Sequence, residues 1–201
     1  MIAVIDYGGG NIGSLLGALR RRGADFELVD APRGLDRASA AILPGDGAFA
    51  ATMHALEERG FTDAVRSFAA SERPLLGICV GMQILFEGSD EFGESPGLGL
   101  LAGRVSRFEK APRVPHMGWN RLEPVAAHPF VAGLQQEPYA YFLHSYRAPV
   151  TPDTVAAATH GERFSAIVAR GNLVGTQFHP EKSRTAGAQL IDNFLTLARK
   201  T

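Results

Sequence analysis

The chain has one cysteine among 201 residues, and it lacks a long apolar run and an excess of charge of either sign. A single cysteine excludes an internal disulfide and a cysteine-based zinc cluster. The net charge of -1 gives no electrostatic reason to expect nucleic acid or an anionic membrane as a partner. No apolar run approaches membrane-spanning length, and the N-terminal MIAVIDYGGGN lacks the parts of a signal peptide. A cytoplasmic location in a reducing compartment is therefore expected.

The first half of the chain alternates between apolar runs and helical patterns. Strands are predicted at 2–7, 25–30, 40–45 and 74–80, and helices at 11–23, 53–71 with a break near Gly60, and 81–88. Strands that are separated by helices predict a parallel sheet with helices on both faces.

The second half contains short strands separated by turn residues. They are predicted at 99–109, 140–150, 154–160, 164–171 and 173–180, with a hairpin turn near Gly171 and a closing helix in RTAGAQLIDNFLTLARK. The expected fold class is α/β, with three layers, a mostly parallel central sheet flanked by helices, and an antiparallel extension. Residues 1–201 are expected to form a single domain.

Cys79 lies between two glycines in the stretch PLLGICVGMQILF (74–86). The pattern Gly-x-nucleophile-x-Gly at a strand-to-helix junction is typical of a nucleophile held in a tight turn, where glycines remove side chains that would clash. The alternative is a buried structural cysteine, which behaves as a small apolar residue. The junction favours the nucleophile.

A nucleophile needs a base, and the base needs an orienting group. Of the six histidines, His179 in GTQFHPEKS ends a predicted strand, and Glu181 follows two positions later. A carboxylate at that spacing can fix the imidazole tautomer, so Cys79, His179 and Glu181 form a candidate triad. The alternative is a strand-end turn with two solvent-exposed polar groups, and HPE alone is too short to decide.

An acyl-transfer site also needs donors for a developing oxyanion. The stretch LPGDGAF (43–49) ends another predicted strand and offers the backbone N–H groups of Gly45, Asp46 and Gly47. The N–H of Val80, next to the candidate nucleophile, is the second donor. The alternative is an ordinary Pro-Gly turn. Nucleophile, base and donors thus follow three strands that end at one edge of the predicted sheet.

The stretch from Gly8 to Gly13 matches the dinucleotide-binding pattern G-x-G-x-x-G, and Asp30 ends the next strand. The chain has too few βαβ units for a full dinucleotide-binding domain, and such a site would leave Cys79 unexplained. We interpret this loop as a packing or partner-contact segment and expect no cofactor and no metal.

The motifs GICVGMQ, FHPE and PGDGAF together resemble the class I, triad-type glutamine amidotransferases. Within that family, the chain is similar to the glutaminase subunits of imidazole glycerol phosphate synthases in DYGGGN, GICVGMQILFEGSDE, VPHMGWN, YFLHSY and FHPEKS. These motifs run in order from residue 6 to residue 183, so the resemblance covers nearly the whole chain. It implies a flavodoxin-like three-layer fold.

The resemblance also implies roles for individual residues. Cys79 would attack the side-chain amide of glutamine and form a thioester, while His179 protonates the ammonia and then activates water, oriented by Glu181. The resemblance assigns the oxyanion donors to the backbone of Gly45, Asp46, Gly47 and Val80, and substrate binding to Gln83, Glu91, Ser145 and Tyr146. The alternatives for Gln83 and Glu91 are a helix-surface residue and a solvated loop acid.

The family delivers its ammonia to a separate cyclase with a (β/α)8 barrel, with which it forms a heterodimer. That cyclase makes imidazole glycerol phosphate and AICAR on the pathway to histidine. By resemblance, the residues that face it are Gly9, Asn11, Met117, Trp119 and Lys182. Asp46 departs from the family, which usually has valine there. Because an inward carboxylate would oppose the oxyanion, its side chain is expected to point to solvent or to the partner.

Three alternatives remain open from the sequence. A regulatory homologue would keep the partner surface without the chemistry, but Cys79, His179 and Glu181 are all present. A free-standing cysteine hydrolase, such as a γ-glutamyl hydrolase or a DJ-1-like protein, would share the cysteine turn but lack PHMGWN. The glutaminase subunit of another amidotransferase is the third.

Overall fold

The computed structural model describes residues 1–9 and 12–200. Asn11, one of the predicted partner-facing residues, lies outside the described residues. The strands are β1 (Ile2–Ile5), β2 (Phe26–Val29), β3 (Ala40–Leu43), β4 (Leu75–Ile78), β5 (Phe86–Ser89), β6 (Ser95–Pro96), β7 (Leu101–Arg107), β8 (His116–Arg121), β9 (Glu123–Pro124), β10 (Tyr139–His144), β11 (Tyr146–Arg147), β12 (Thr154–His160), β13 (Glu162–Arg170) and β14 (Leu173–Thr176). The α-helices are α1 (Gly13–Arg21), α2 (Phe49–Glu58), α3 (Phe61–Ala70), α4 (Val80–Gln83) and α5 (Arg184–Ala198).

The central sheet has eight strands in the order β2-β1-β3-β4-β14-β13-β12-β9. The first five run parallel, and the last three continue the sheet in antiparallel pairings. The parallel part has the strand order of flavodoxin-like sheets. The predicted parallel sheet with an antiparallel extension is thus confirmed. Because β4 lies between β3 and β14, the residues that follow these three strands meet at one edge.

Alternate side chains of the parallel strands pack into two separate cores. In β1, Val4 packs into the core that contains Leu19 of α1 and Phe194 of α5. Ile5 packs into the other core, which contains side chains of α2 and α3. Strands that are buried on both faces are expected to be apolar throughout, as β1 is. The sheet therefore has helices on both faces, as the sequence predicts.

Two smaller sheets complete the fold. Strands β10 and β8 pair antiparallel, and β11, β7, β5 and β6 form a four-stranded sheet. The predicted helix break and hairpin are confirmed: Gly60, with φ 72°, separates α2 from α3, and Gly171, with φ 57°, connects β13 to β14.

The predicted helix over 81–88 is wrong. Only α4 is helical there, and the chain then becomes strand β5. The carbonyls that would accept helical hydrogen bonds instead accept them from the segment that leads into β7. Leu98 N donates to Ile84 O at 2.7 Å, and Leu101 N donates to Leu85 O at 2.9 Å. Tertiary pairing therefore overrides the local helical pattern. Strand β8 is present in a segment where no strand was predicted.

The start of α4 packs directly on the end of β3 through backbone atoms. A Cβ atom on Gly81 would lie 2.2 Å from the carbonyl oxygen of Leu43, whereas one on Gly17 in α1 would meet only the tip of Arg21 at 3.4 Å. We expect Gly81→Ala to lower the free energy of unfolding by about 2–3 kcal/mol, because backbone atoms must move apart. Gly17→Ala, the matched control, should raise it by about 0.5–1 kcal/mol.

Urea unfolding of the two variants checks this prediction. A Gly81→Ala protein as stable as the Gly17→Ala protein would show that the close approach of β3 to α4 is not a constraint.

Candidate active site

Cys79 occupies a strained turn between β4 and α4. Its backbone has φ 56° and ψ −116°, which non-glycine residues rarely adopt. Its N–H donates to Thr176 O, at the end of β14, at 2.7 Å. A Cβ atom on Gly77 would lie 2.6 Å from Gly81 O, so glycine is needed for the turn to close. The tight turn predicted from the sequence is present.

His179 and Glu181 pair beside this turn. The imidazole Nδ1 lies 2.9 Å from Glu181 Oε1. Their side chains are only 12% and 2% exposed, so the two solvent-exposed polar groups of the alternative interpretation are not found. The backbone of His179 is also held in place, because its carbonyl accepts a hydrogen bond from Ser183 Oγ at 2.8 Å.

The pKa of His179 is raised to about 10. Burial lowers this pKa, but hydrogen bonding and charge interactions with Cys79 and Glu181 raise it by more. The imidazole is therefore protonated near neutral pH. Because Nδ1 is bonded to Glu181, Nε2 is the nitrogen that remains for Cys79. An imidazolium at that position stabilises negative charge on the sulfur.

The loop after β3 lies against the cysteine turn. A Cβ atom on Gly45 would come within 2.3 Å of Gly81 N and 2.4 Å of Val80 Cγ1. Asp46 is exposed, and it lines the pocket beside Cys79. The candidate oxyanion donors are thus adjacent to Cys79.

One pocket joins the cysteine turn and the loop after β3. It is lined by Asp46, Gly47, Cys79, Val80, Gln83, Glu91, Pro115, Leu143, His144, Ser145 and Tyr146. All four residues predicted to bind substrate therefore lie around it. Gly45 is buried behind the loop, and Pro115, Leu143 and His144 were not predicted.

Gln83 and Glu91 line the pocket, and both also form hydrogen bonds within the protein. Gln83 Nε2 donates to Tyr146 O and to Gln177 Oε1, both at 3.0 Å. Glu91 Oε2 accepts from the N–H of Phe49, the first residue of α2, at 2.7 Å. Gln83 is buried, so it is not the helix-surface residue of the alternative, and Glu91 is a helix cap rather than a solvated acid.

Tyr7 lies next to the site and was not predicted from the sequence. It is buried, and its hydroxyl lies near Thr52, Asp46 and Cys79 without a hydrogen-bond partner among the described residues. Burial raises its pKa to about 12, so it remains a neutral phenol. A polar residue two positions after the end of β1, at the same sheet edge as Cys79, is the pattern that could have indicated it.

Of the predicted partner-facing residues, Met117 lies next to the pocket, because its strand neighbour Leu143 lines it. Met117 and Trp119 on β8 are 62% and 46% exposed, and Leu143, which pairs opposite Met117, is 45% exposed. Lys182 is exposed, and Gly9 is half-buried against the ring of Tyr7. An exposed apolar strip thus borders the pocket.

The raised pKa of His179 makes stability depend on pH. The ordinary pKa is 6.5 and the folded-state pKa is about 10, so the folded state holds the proton more tightly. The resulting stability is fully present below about pH 6.5 and is lost as the pH rises toward 10. We expect the difference in unfolding free energy between the unmodified chain and His179→Gln to shrink over that interval.

Denaturant unfolding between pH 6 and pH 10 measures this difference, with the exposed His54→Gln as the control. A difference that grows with pH would show that His179 is not held as the imidazolium.

Among the described residues, no group of three or more His, Cys, Asp or Glu side chains is placed to hold a metal ion. No helix in this part of the chain combines the length and apolar character that crossing a bilayer requires.

A family profile described as "Glutamine amidotransferase class-I" matches residues 3–198. The "Imidazole glycerol phosphate synthase subunit HisH" of Xylella fastidiosa is 48% identical over 198 residues, which cover 98% of this chain and 97% of that protein. The protein of the same name from Sulfurimonas denitrificans is 44% identical over 201 residues, with 96% and 97% covered. A solved structure, "Crystal structure of glutamine amidotransferase", superposes with a TM-score of 0.77 at 26% identity and 98% coverage of both chains.

Proposed function

Because this chain belongs to the class I glutamine amidotransferase family, we propose that it is the glutaminase subunit of an imidazole glycerol phosphate synthase. It hydrolyses glutamine to glutamate and ammonia, and it passes the ammonia to a partner cyclase in histidine biosynthesis. Residues 1–201 act as one glutaminase domain, in the cytoplasm. The observation that carries the proposal is that the His179–Glu181 pair lies beside Cys79, which lines one pocket together with all four candidate substrate-binding residues.

The first half of the reaction forms a thioester. The Cys79 sulfur attacks the side-chain amide carbon of glutamine, and negative charge moves to the amide oxygen. The backbone N–H groups of the 45–47 loop and of Val80 stabilise that oxyanion. His179 then donates its Nε2 proton to the nitrogen, so that ammonia leaves as the C–N bond breaks.

The second half hydrolyses the thioester. His179, now neutral, takes a proton from water as the water oxygen attacks the thioester carbon. The C–S bond breaks, glutamate is released, and the proton returns to the Cys79–His179 pair. Glu181 holds the imidazole through Nδ1 in both halves, so Nε2 faces the reacting atoms throughout.

The pocket suits the amino-acid end of free glutamine. Both amide hydrogens of Gln83 are already donated to the protein, which leaves its oxygen to accept from the α-ammonium group. Glu91 adds a carboxylate of the opposite charge. Ser145 and Tyr146 line the same wall.

The partner is proposed to be a (β/α)8-barrel cyclase that forms a heterodimer with this chain and makes imidazole glycerol phosphate and AICAR. The exposed Met117 and Trp119 support a protein interface next to the pocket, because exposed aromatic and methionine side chains are enriched in interface cores. Gly9, Asn11 and Lys182 are proposed to face the same partner. Ammonia that passes directly across such an interface is not lost to water.

The competing interpretations have less support. A Cβ atom on Gly8 would lie 2.6 Å from Arg59 Nη2, and one on Gly9 would lie 2.6 Å from Tyr7 Cε2, which favours a packed loop over a nucleotide site. A free-standing hydrolase does not explain the apolar strip beside the pocket. The complete triad argues against a regulatory homologue.

Glutamate formation from glutamine tests the proposal. We expect the rate of the purified chain to rise by at least about tenfold when the cyclase and its nucleotide ligand are both present. Cys79→Ala should abolish turnover and still form the complex, which serves as the control for folding. Full activity without the cyclase would reject the ammonia-transfer role. Complex formation without any activity would favour the regulatory homologue.

A further inference from the structure

The backbone carbonyl of Tyr146 accepts two hydrogen bonds from buried side chains. Gln83 Nε2 lies 3.0 Å from it and His144 Nδ1 lies 2.8 Å from it. A carbonyl oxygen can only accept, so both nitrogens must carry the hydrogen. This requirement fixes the orientation of the Gln83 amide and the tautomer of a neutral His144.

The same donor and acceptor requirement fixes the tautomer of a second histidine, His116. His144 Nε2 is then an acceptor, so His116 Nδ1, 3.0 Å away, must donate to it. His116 Nε2 in turn accepts from Asn120 Nδ2 at 3.2 Å. The result is a directed chain of hydrogen bonds from Asn120 through His116 and His144 to the Tyr146 carbonyl.

Both histidines are kept neutral. They are 4% and 7% exposed, and they are surrounded by the rings of Phe108, Phe142, His160 and Phe164. Burial lowers the pKa of His116 to about 4 and that of His144 to about 3. A second proton on His144 would point Nε2–H at the Nδ1–H of His116, and one on His116 would point Nε2–H at the amide group of Asn120, so either proton would break a hydrogen bond of the chain.

Gln83 connects the chain to the pocket. Its second amide hydrogen goes to Gln177 Oε1 at 3.0 Å, and among the described residues its own Oε1 has no bonded partner. His144 lines the pocket too, but both of its ring nitrogens are used inside the protein. It therefore reaches a ligand through Gln83 and not through a nitrogen of its own.

We propose that His116 and His144 are positioning residues for glutamine: their chain holds the Tyr146 carbonyl, and through it the Gln83 amide, so that Gln83 Oε1 accepts from the α-ammonium group. This inference rests on the proposed function. It predicts an effect on the binding of glutamine, because neither histidine presents a nitrogen to the scissile amide.

Two double variants isolate the hydrogen bond to Tyr146. His116→Phe/His144→Leu removes the whole chain and keeps an apolar core. His116→Phe/His144→Asn restores a donor, because Asn Nδ2 takes the place of His Nδ1, and it also introduces the side-chain oxygen of asparagine. Phenylalanine preserves the stacking of residue 116 on Phe142, whose ring centroid lies 4.8 Å away. His128→Asn, on a histidine that bonds Gly171 O away from the pocket, is the control.

Glutamine affinity is measured by calorimetry in the complex with the cyclase, in a Cys79→Ala background, and KM and kcat are measured with Cys79 intact. The Leu variant should bind glutamine about tenfold more weakly and show a similar rise in KM, with kcat within about twofold. The Asn variant and His128→Asn should stay within about threefold of the unmodified chain. Thermal unfolding is recorded for each, and the single variants His144→Leu and His144→Asn give the same comparison if a double variant does not fold.

A folded Leu variant with unchanged glutamine affinity and KM, or an Asn variant as weak as the Leu variant, would overturn the positioning role. A fall in kcat without a change in affinity would also overturn it. These outcomes differ from failure of the proposed function, in which the unmodified chain itself neither binds nor hydrolyses glutamine.

Discussion

The hydrogen bond from the Cys79 N–H to the Thr176 carbonyl, 2.7 Å long, joins the ends of two neighbouring parallel strands. Cys79 directly follows β4, and His179 lies three residues after the end of β14. The register of these strands therefore sets the position of the imidazole relative to the sulfur. The close packing of Gly45 and Gly81 adds the loop after β3 to the same arrangement. The proposed nucleophile, base and oxyanion donors are thereby brought together by backbone contacts at one edge of the sheet.

The parts of the site that could be predicted from the sequence are those encoded locally. Gly77, Cys79 and Gly81 lie within five residues, and His179 and Glu181 are two positions apart, so each pattern indicates its geometry without knowledge of the rest. The helix over 81–88 could not be excluded in the same way. Its carbonyls accept hydrogen bonds from residues more than ten positions away. No local sequence pattern indicates that such distant residues will replace the helical donors.

Polar contacts between segments that are distant in the sequence could not be predicted either. His116 and His144 are 28 positions apart and meet only because β8 and β10 pair in register. Met117 and Trp119 alternate with His116 and Asn120 along β8, so one narrow sheet carries an exposed apolar strip on one face and the histidine chain on the other. The proposed partner surface and the proposed anchor of Gln83 are in this way two faces of a single element.

The central claim is that Cys79 carries the glutamyl group, and direct detection of that intermediate tests it most closely. The complex is mixed with glutamine and the cyclase ligand, quenched in acid within the first turnovers, digested and analysed by mass spectrometry. The account predicts a glutamyl thioester on the peptide that contains Cys79, which forms only with glutamine present. Glutamate production with no acylated peptide, or with the acyl group on another residue, would contradict it.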